Sequence, residues 1–194
     1  MAEKLPYPVE LVRSWTLRDG TRVVIRPIRP EDRQIESYFV RNLSDESRYF
    51  RFFNAVRDLS ETALSRFTQV DYSREMALIA LICENGRETE IGVARYVVNP
   101  HGRCCEFAIA VADAWQRKGI GSKLMHSLMD AARRRGLETM EGWVLSGNTR
   151  MLALADGLGF TIDASAGDPS LRHVVKNLAT RDNPSATAVN RETT

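Results

Sequence analysis

The stretch FAIAVADAWQRKGIGSKLM, Phe107–Met125, decides how the rest of the chain is read. Its first half, with Cys104, Cys105 and Glu106 before it, is a short apolar run of strand length that ends at Val111. Its second half, from Ile120, repeats apolar residues at helical spacing: Leu124, Met125, Leu128, Ala131 and Ala132. Between the two lies Gln116-Arg117-Lys118-Gly119-Ile120-Gly121. A helix N-terminus has unpaired N–H groups and about half a positive charge, and glycine lets a ligand approach the backbone. Gly119 and Gly121 at such a mouth make an anion nest, to which Gln116, Arg117 and Lys118 add donors and charge. The alternative is a glycine turn joining strand to helix.

Working outward, the segments before the motif read as β structure. Glu75–Glu84 is an almost continuous apolar run, hence a buried strand. Asn85-Gly86 marks a turn, and Ile91–Val98 returns antiparallel. A turn at Asn99–Gly102 leads into Cys104–Val111, completing a three-stranded meander. Near the N-terminus, Thr21–Ile28 is a strand and RSWTL its hairpin partner across Asp19-Gly20. Helices are expected from Pro30 to about Asn42, after Ser44 and after Ser60, both serines acting as N-caps. Past the motif, Gly136 stops its helix, TMEGWVLS is a strand, Asn148–Leu158 a helix, and FTID with LRHVVKNL a closing hairpin. This order predicts an α+β fold: a mixed, mostly antiparallel sheet flanked by helices on both faces, in a single domain over residues 1–180. Residues 181–194 are polar and aperiodic, so a disordered tail is expected there.

Bulk properties narrow the function. A net charge of +2 over 194 residues gives no general basic footprint, so no nucleic-acid partner is expected. No run approaches the ~20 apolar residues of a membrane span, and the N-terminus has no signal-peptide core, so neither membrane nor export is expected. Three cysteines, Cys83, Cys104 and Cys105, form neither a disulfide framework nor a zinc pattern; a reduced, cytoplasmic protein without a metal is expected.

Three phosphate motifs compete at the glycines. In a P-loop, Lys and then Ser/Thr follow the second glycine; here Ser122 precedes Lys123. A dinucleotide turn needs a third glycine where Leu124 stands, and a strand ending closer to Gly119. The pattern Gln/Arg-x-x-Gly-x-Gly/Ala fits Gln116–Gly121 without a gap.

That motif, together with NTRMLALADGLGF at Asn148–Phe160, resembles the GNAT (GCN5-related N-acetyltransferase) superfamily, with a similar order of elements over roughly Val24 to Leu178. The resemblance implies acetyl-CoA as co-substrate. It implies that the strand end Ile109, Ala110 and Val111 binds the pantetheine and acetyl group. Gln116, Arg117, Lys118, Gly119, Ile120, Gly121 and Ser122 belong to the pyrophosphate nest, and Asn148 contacts the pantetheine arm. Asn148 is also placed as a helix N-cap, and both roles are compatible.

Transfer to an amine needs the amine neutral. A lysine with pKa ~10.4 is neutral in only about one molecule in 2,500 at pH 7, a deficit worth roughly 4.6 kcal/mol. Glu106 is the candidate general base: the one acid in an otherwise apolar strand, sharing a face with Ala108 and Ala110. The alternative is an exposed or salt-bridged strand charge. The tyrosine that the family often uses as general acid falls at Ala155, so no acid is assigned; nothing selects among His101, Tyr96 and Tyr72. A nucleophilic role for Cys104 or Cys105 is disfavoured, because no histidine adjoins them.

Ser47–Phe53 and Glu106–Val111 are similar to bacterial protein lysine acetyltransferases that modify acyl-CoA synthetases, a group that also tends to lack the tyrosine. The acceptor implied is therefore a protein lysine, with an acyl-CoA synthetase as the partner class. A small-molecule amine and a non-catalytic acyl-CoA sensor are the alternatives, and a homodimer stays open. Arg48 and Arg51 either guide an acidic protein surface or make salt bridges on a helix.

Overall fold

The computed structural model describes residues 5–54, 58–165 and 167–179. The expected tail, 181–194, lies outside them. Eight strands form one sheet: β1 (Arg13–Thr16), β2 (Arg22–Pro27), β3 (Glu75–Glu84), β4 (Arg87–Val98), β5 (Cys104–Val111), β6 (Thr139–Leu145), β7 (Thr161–Ala164) and β8 (Leu171–Asn177). Their spatial order is β1-β2-β3-β4-β5-β6-β8-β7. All neighbours are antiparallel except β5 and β6. The expected α+β architecture is the one observed.

Local chemistry sets the element ends. Ser44 and Ser60 cap α2 (Asp45–Phe52) and α3 (Glu61–Thr68), accepting from the amides of Ser47 and Ala63. The expected first helix opens instead with a 3-10 turn, Pro30–Asp32, before α1 (Arg33–Asn42). The Asn85-Gly86 turn is so tight that Glu84 pairs with Arg87, and β4 begins four residues before the expected Ile91. α4 (Ile120–Arg134) lays Leu124, Met125, Leu128 and Met129, all fully buried, across β3, β4 and β5. Each such side chain is worth about 1.5–3 kcal/mol of burial, which fixes the motif's helix to the sheet.

The opposite face carries α1, and its junction with the sheet is ionic. Arg26 on β2 makes a two-pronged pair with Asp32 (2.7 and 2.8 Å) and reaches Glu88 (2.9 Å). Arg95 on β4 lies 3.5 Å from Glu36 of α1. Beside them Glu90 is buried; burial and the charge of Glu36 raise its carboxyl well above the usual range.

β5 and β6 pair in parallel only at Cys104–Thr139, Cys105–Met140 and Glu106–Glu141. Beyond that point they part. β5 stays paired to β4 as far as Val111, and β6 to β8 as far as Leu145, so the lost hydrogen bonds are confined to the fork. At its base the Phe107 ring lies against Gly142, where an added Cβ would meet ring carbons at 2.8 and 3.1 Å. Phe160 backs that ring at 5.3 Å between centroids.

Candidate active site

The fork opens into a cavity of about 570 Å³. Its walls are the parted strands, α2, the start of α4, and α5 (Thr149–Gly157). At one end stands the glycine motif. Arg117 (φ 60°) and Gly119 (φ 83°) both hold left-handed backbone, which turns successive amides to one side. The first helical bond of α4 runs from the Lys123 amide to the Gly119 carbonyl (3.1 Å) and no side chain caps the helix, so the amides of Ile120, Gly121 and Ser122 lack helical acceptors. These open donors, at the positive end of a buried helix, suit a pyrophosphate.

The side chains of the motif divide their work. Gln116, Arg117, Gly119, Gly121 and Ser122 line the cavity. Gln116 is a brace: its Nε2 donates to the Val111 carbonyl (3.1 Å) and to Ser47 Oγ (3.3 Å). Lys118 turns away, its Nζ 3.8 Å from Asp19 and 4.4 Å from the Trp115 ring centre. Ile120 is buried in the core. For Lys118 and Ile120 the backbone is therefore what is left to face a phosphate. Asn148 lines the cavity while its Oδ1 accepts from the Met151 amide (3.1 Å), so the capping role is present.

Sequence reasoning missed Arg150. It lines the cavity, donates to Gln116 Oε1 (3.0 Å) and lies 3.8 Å from Glu46. The signal was present, since a cation in the first turn of a helix opposes the dipole and calls for another reason. It also missed the latch holding α2 over the fork. Asp113 accepts from the Ser44 amide (2.9 Å), Ser44 Oγ (2.8 Å) and Ser47 Oγ (2.8 Å). Burial favours the neutral acid here, but these bonds outweigh it and hold the Asp113 carboxyl below its usual range.

Along the fork, Ile109, Ala110 and Val111 line the cavity as expected, although the Val111 carbonyl is already taken by Gln116. Glu106 sits at the fork's base, exposed, and makes no hydrogen bond or ion pair with any described residue. Of the alternative reading, an exposed or salt-bridged strand charge, the exposure is present and the salt bridge is absent among the described residues. Beside it the Cys104 thiol is pushed up to about 11 by burial and by Glu141, and Cys105, buried, to about 12. Neither is a thiolate at neutral pH.

None of the three acid candidates lines the cavity. Tyr72 Oη donates to the Ile28 carbonyl (2.6 Å), Tyr96 is buried, and His101 lies in an exposed turn. Ala155 is fully buried. Arg48 donates to the carbonyls of Arg41 (2.9 Å) and Leu43 (2.7 Å) and pairs with Asp45, which makes it structural. Arg51 is different: it lines the cavity, hydrogen-bonds to no described residue, and sits 5.0 Å from the Phe52 ring centre. Burial and the like charge of Arg95 lower its guanidinium to about 10.

The profile of the Acetyltransferase (GNAT) family matches residues 27–160. The chain is a GNAT acetyltransferase. It is 38% identical to Acetyltransferase PA5475 of Pseudomonas aeruginosa over 145 residues, 75% of this chain and 78% of that protein. It is 30% identical to Acetyltransferase Pat of Mycolicibacterium smegmatis over 79% of this chain, spanning 44% of that longer protein. Among solved structures, the GNAT domain of S. lividans PAT superposes with a TM-score of 0.80 at 28% identity, covering 89% of this chain and 99% of that one. The yncA structure from Salmonella typhimurium, with its cofactor acetyl-CoA, shares the fold (TM-score 0.62, 22% identity, covering 84% of this chain and 98% of that one). The enzyme is an N-acetyltransferase that uses acetyl-CoA, and the open amides of α4 and the unpaired fork are the features here that fit the nucleotide and thioester ends of that molecule.

Proposed function

We propose that this GNAT enzyme acetylates a lysine side chain of a protein acceptor, with an acyl-CoA synthetase as the acceptor class and Glu106 as general base. The observation that carries the proposal is the unpaired Glu106 carboxylate at the base of the fork, in the same cavity as the α4 nest. Glu106 takes a proton from the incoming ammonium: an N–H bond breaks, an O–H bond forms, and the amine gains its lone pair. The amine then attacks the acetyl carbonyl carbon; the C–N bond forms, the C–S bond breaks, CoA leaves as thiolate, and the surplus proton on the acylated nitrogen passes to that thiolate or to water, leaving a neutral amide. A thiolate of pKa near ~8.5 leaves without a dedicated acid, consistent with the alanine at position 155.

A macromolecular acceptor is supported by the apolar collar around Glu106. Phe53 and Trp143 line the cavity and are 45% and 41% exposed, and Val97, 43% exposed, is the register partner of Glu106. Such a collar suits the methylene stem of a lysine. A second reading, a small amine carrying a carboxylate, is favoured by Arg51, whose guanidinium lines the cavity and makes no hydrogen bond or ion pair with a described residue.

The test combines Glu106→Gln with an acceptor screen. Parent and variant are incubated with acetyl-CoA and either an amine library or cell-extract proteins, and modified lysines are read by mass spectrometry. Lysine modification by the parent, abolished in Glu106→Gln while acetyl-CoA binding is retained, supports the proposal. Unchanged turnover in the variant removes Glu106 as base. Turnover confined to small amines removes the protein acceptor.

A further inference from the structure

The last residue pair before the fork is Glu106 with Glu141. In-register residues of adjacent parallel strands point to the same face, about 4.8 Å apart. Two carboxylates therefore rise side by side on one sheet face, Glu106 lining the cavity and Glu141 next to it. The Cys104 thiol lies within the field of both.

The second carboxylate is held. Glu141 Oε2 is 3.0 Å from His173 Nε2, across the β6–β8 pair. Trp143, two residues along β6, stacks on the His173 ring at 4.4 Å between centroids and 22° between planes. Trp143 also lines the cavity and remains 41% exposed. One face of its indole is thus spent on the histidine, and the rest of the ring is open. Asp163, in register with His173 on β7, adds a third acid to this edge. No arginine or lysine is paired with Glu106 or Glu141 among the described residues. The sheet face beside the fork is therefore a cation-seeking surface with one aromatic wall.

We propose that Glu141, oriented by His173 and flanked by Trp143, binds the ammonium of the acceptor next to Glu106, and so selects a cationic primary amine on a slender apolar stem. This rests on the lysine-acceptor reading above and assigns its binding residues. The two carboxylates have different duties. Glu106 has no partner and accepts the proton. Glu141 has Oε2 on His173 and the Cys104 thiol as a second neighbour; a remaining lone pair of the carboxylate accepts an N–H bond from the ammonium and then from the neutral amine, holding the amine lone pair in one direction. The stem lies on the open part of Trp143, whose π face also attracts the cation on entry. His173 is a positioning residue, acting through Glu141.

The experiment uses Nα-acetyl-lysine amide as the probe amine, with the full chain. In steady state at saturating acetyl-CoA, Glu141→Gln is expected to raise the KM for the probe roughly tenfold or more, the loss of one charge-assisted hydrogen bond, with kcat changed less than about threefold. The KM for acetyl-CoA stays unchanged. His173→Gln shifts the probe KM in the same direction by less, whereas Glu106→Gln lowers kcat. A second readout needs no turnover: the probe is titrated into protein saturated with CoA, and Trp143 emission is followed, Trp143→Phe removing the signal. Loss of probe affinity in Glu141→Gln supports the proposal. If the parent acetylates the probe and Glu141→Gln leaves both KM and affinity unchanged, the proposal is overturned while lysine acetylation stands. Glu141-dependent binding without turnover keeps the proposal and removes the lysine acetyltransferase. A fall in kcat at unchanged KM overturns it by making Glu141 a base. Absence of both binding and turnover in the parent overturns both readings.

Discussion

Replacing Gly142 by alanine tests whether the fork, the proposed thioester site, is held open by a fitted wedge. The added Cβ would stand 2.8 Å from Phe107 Cε1 and 3.1 Å from Cδ1 and Cζ. Ordinary carbon contacts lie near ~3.5–4.0 Å, so the ring must retreat by roughly 0.7 Å. Phe160 blocks the retreat, its ring 5.3 Å behind and tilted by 56°. Overpacking of this kind costs about 1–3 kcal/mol. For a domain of this size, ~2 kcal/mol lowers Tm by roughly 4–8 °C. Thermal unfolding of Gly142→Ala, Phe107→Leu and the double variant is the assay, with the KM for acetyl-CoA measured alongside. The smaller side chain at 107 should relieve the clash, so the double variant should be more stable than additivity allows, by ~0.5–3 kcal/mol. A Gly142→Ala protein with Tm within about 1 °C of the parent would refute the wedge, because the ring would then have slack. Strict additivity in the double variant would do the same.

Gly119→Ala should act through its dihedral alone. Nothing lies near the added Cβ, so holding φ at 83° costs about 1–2 kcal/mol, and the distorted nest should raise the KM for acetyl-CoA with little effect on kcat. Asp32→Ala should destabilise the fold by roughly 3–5 kcal/mol in urea titration, because buried Arg26 keeps only the exposed Glu88 as a charged partner; an Arg26→Met, Asp32→Leu double variant should lose less. The Asp113 latch should show a pH signature. Its folded pKa is depressed, so its stabilisation is present above the unfolded value near ~3.9 and is lost as pH falls through the folded value. The Tm gap between the parent and Asp113→Asn should be full at neutral pH and close in acid below about pH 4, measured by calorimetry across that range.

Much of the fold was legible because its signals are local. The continuous apolar runs fixed β3 and β5 to the residue, at Glu75–Glu84 and Cys104–Val111. Ser44 and Ser60 announced two helix starts through a hydrogen bond that spans three residues. The geometry of the proposed nest was legible for the same reason: it is a contiguous backbone feature, and Gly119 carries its left-handed turn in its own chemistry. Arg51 was visible as a charge, but its half-buried place in the cavity was not, since a short helix has no period long enough to separate a wet face from a lining one.

What the sequence determined by itself is thus most of the elements, the glycine turn that opens α4, and an isolated acid, Glu106, on a strand that borders the cavity. Only the tertiary structure decided that β8 inserts between β6 and β7, because strand order depends on pairing between segments tens of residues apart. Only it decided that β5 and β6 part after one shared pair of glutamates, since the wedge joins Phe107 to a glycine 35 positions away in the chain. The same holds for the Glu141–His173–Trp143 group and for the ionic layer of Arg26, Glu36, Glu90 and Arg95. A buried or shared charge is tolerable only with its partner, and the partner is chosen by the fold, not by neighbours in the chain.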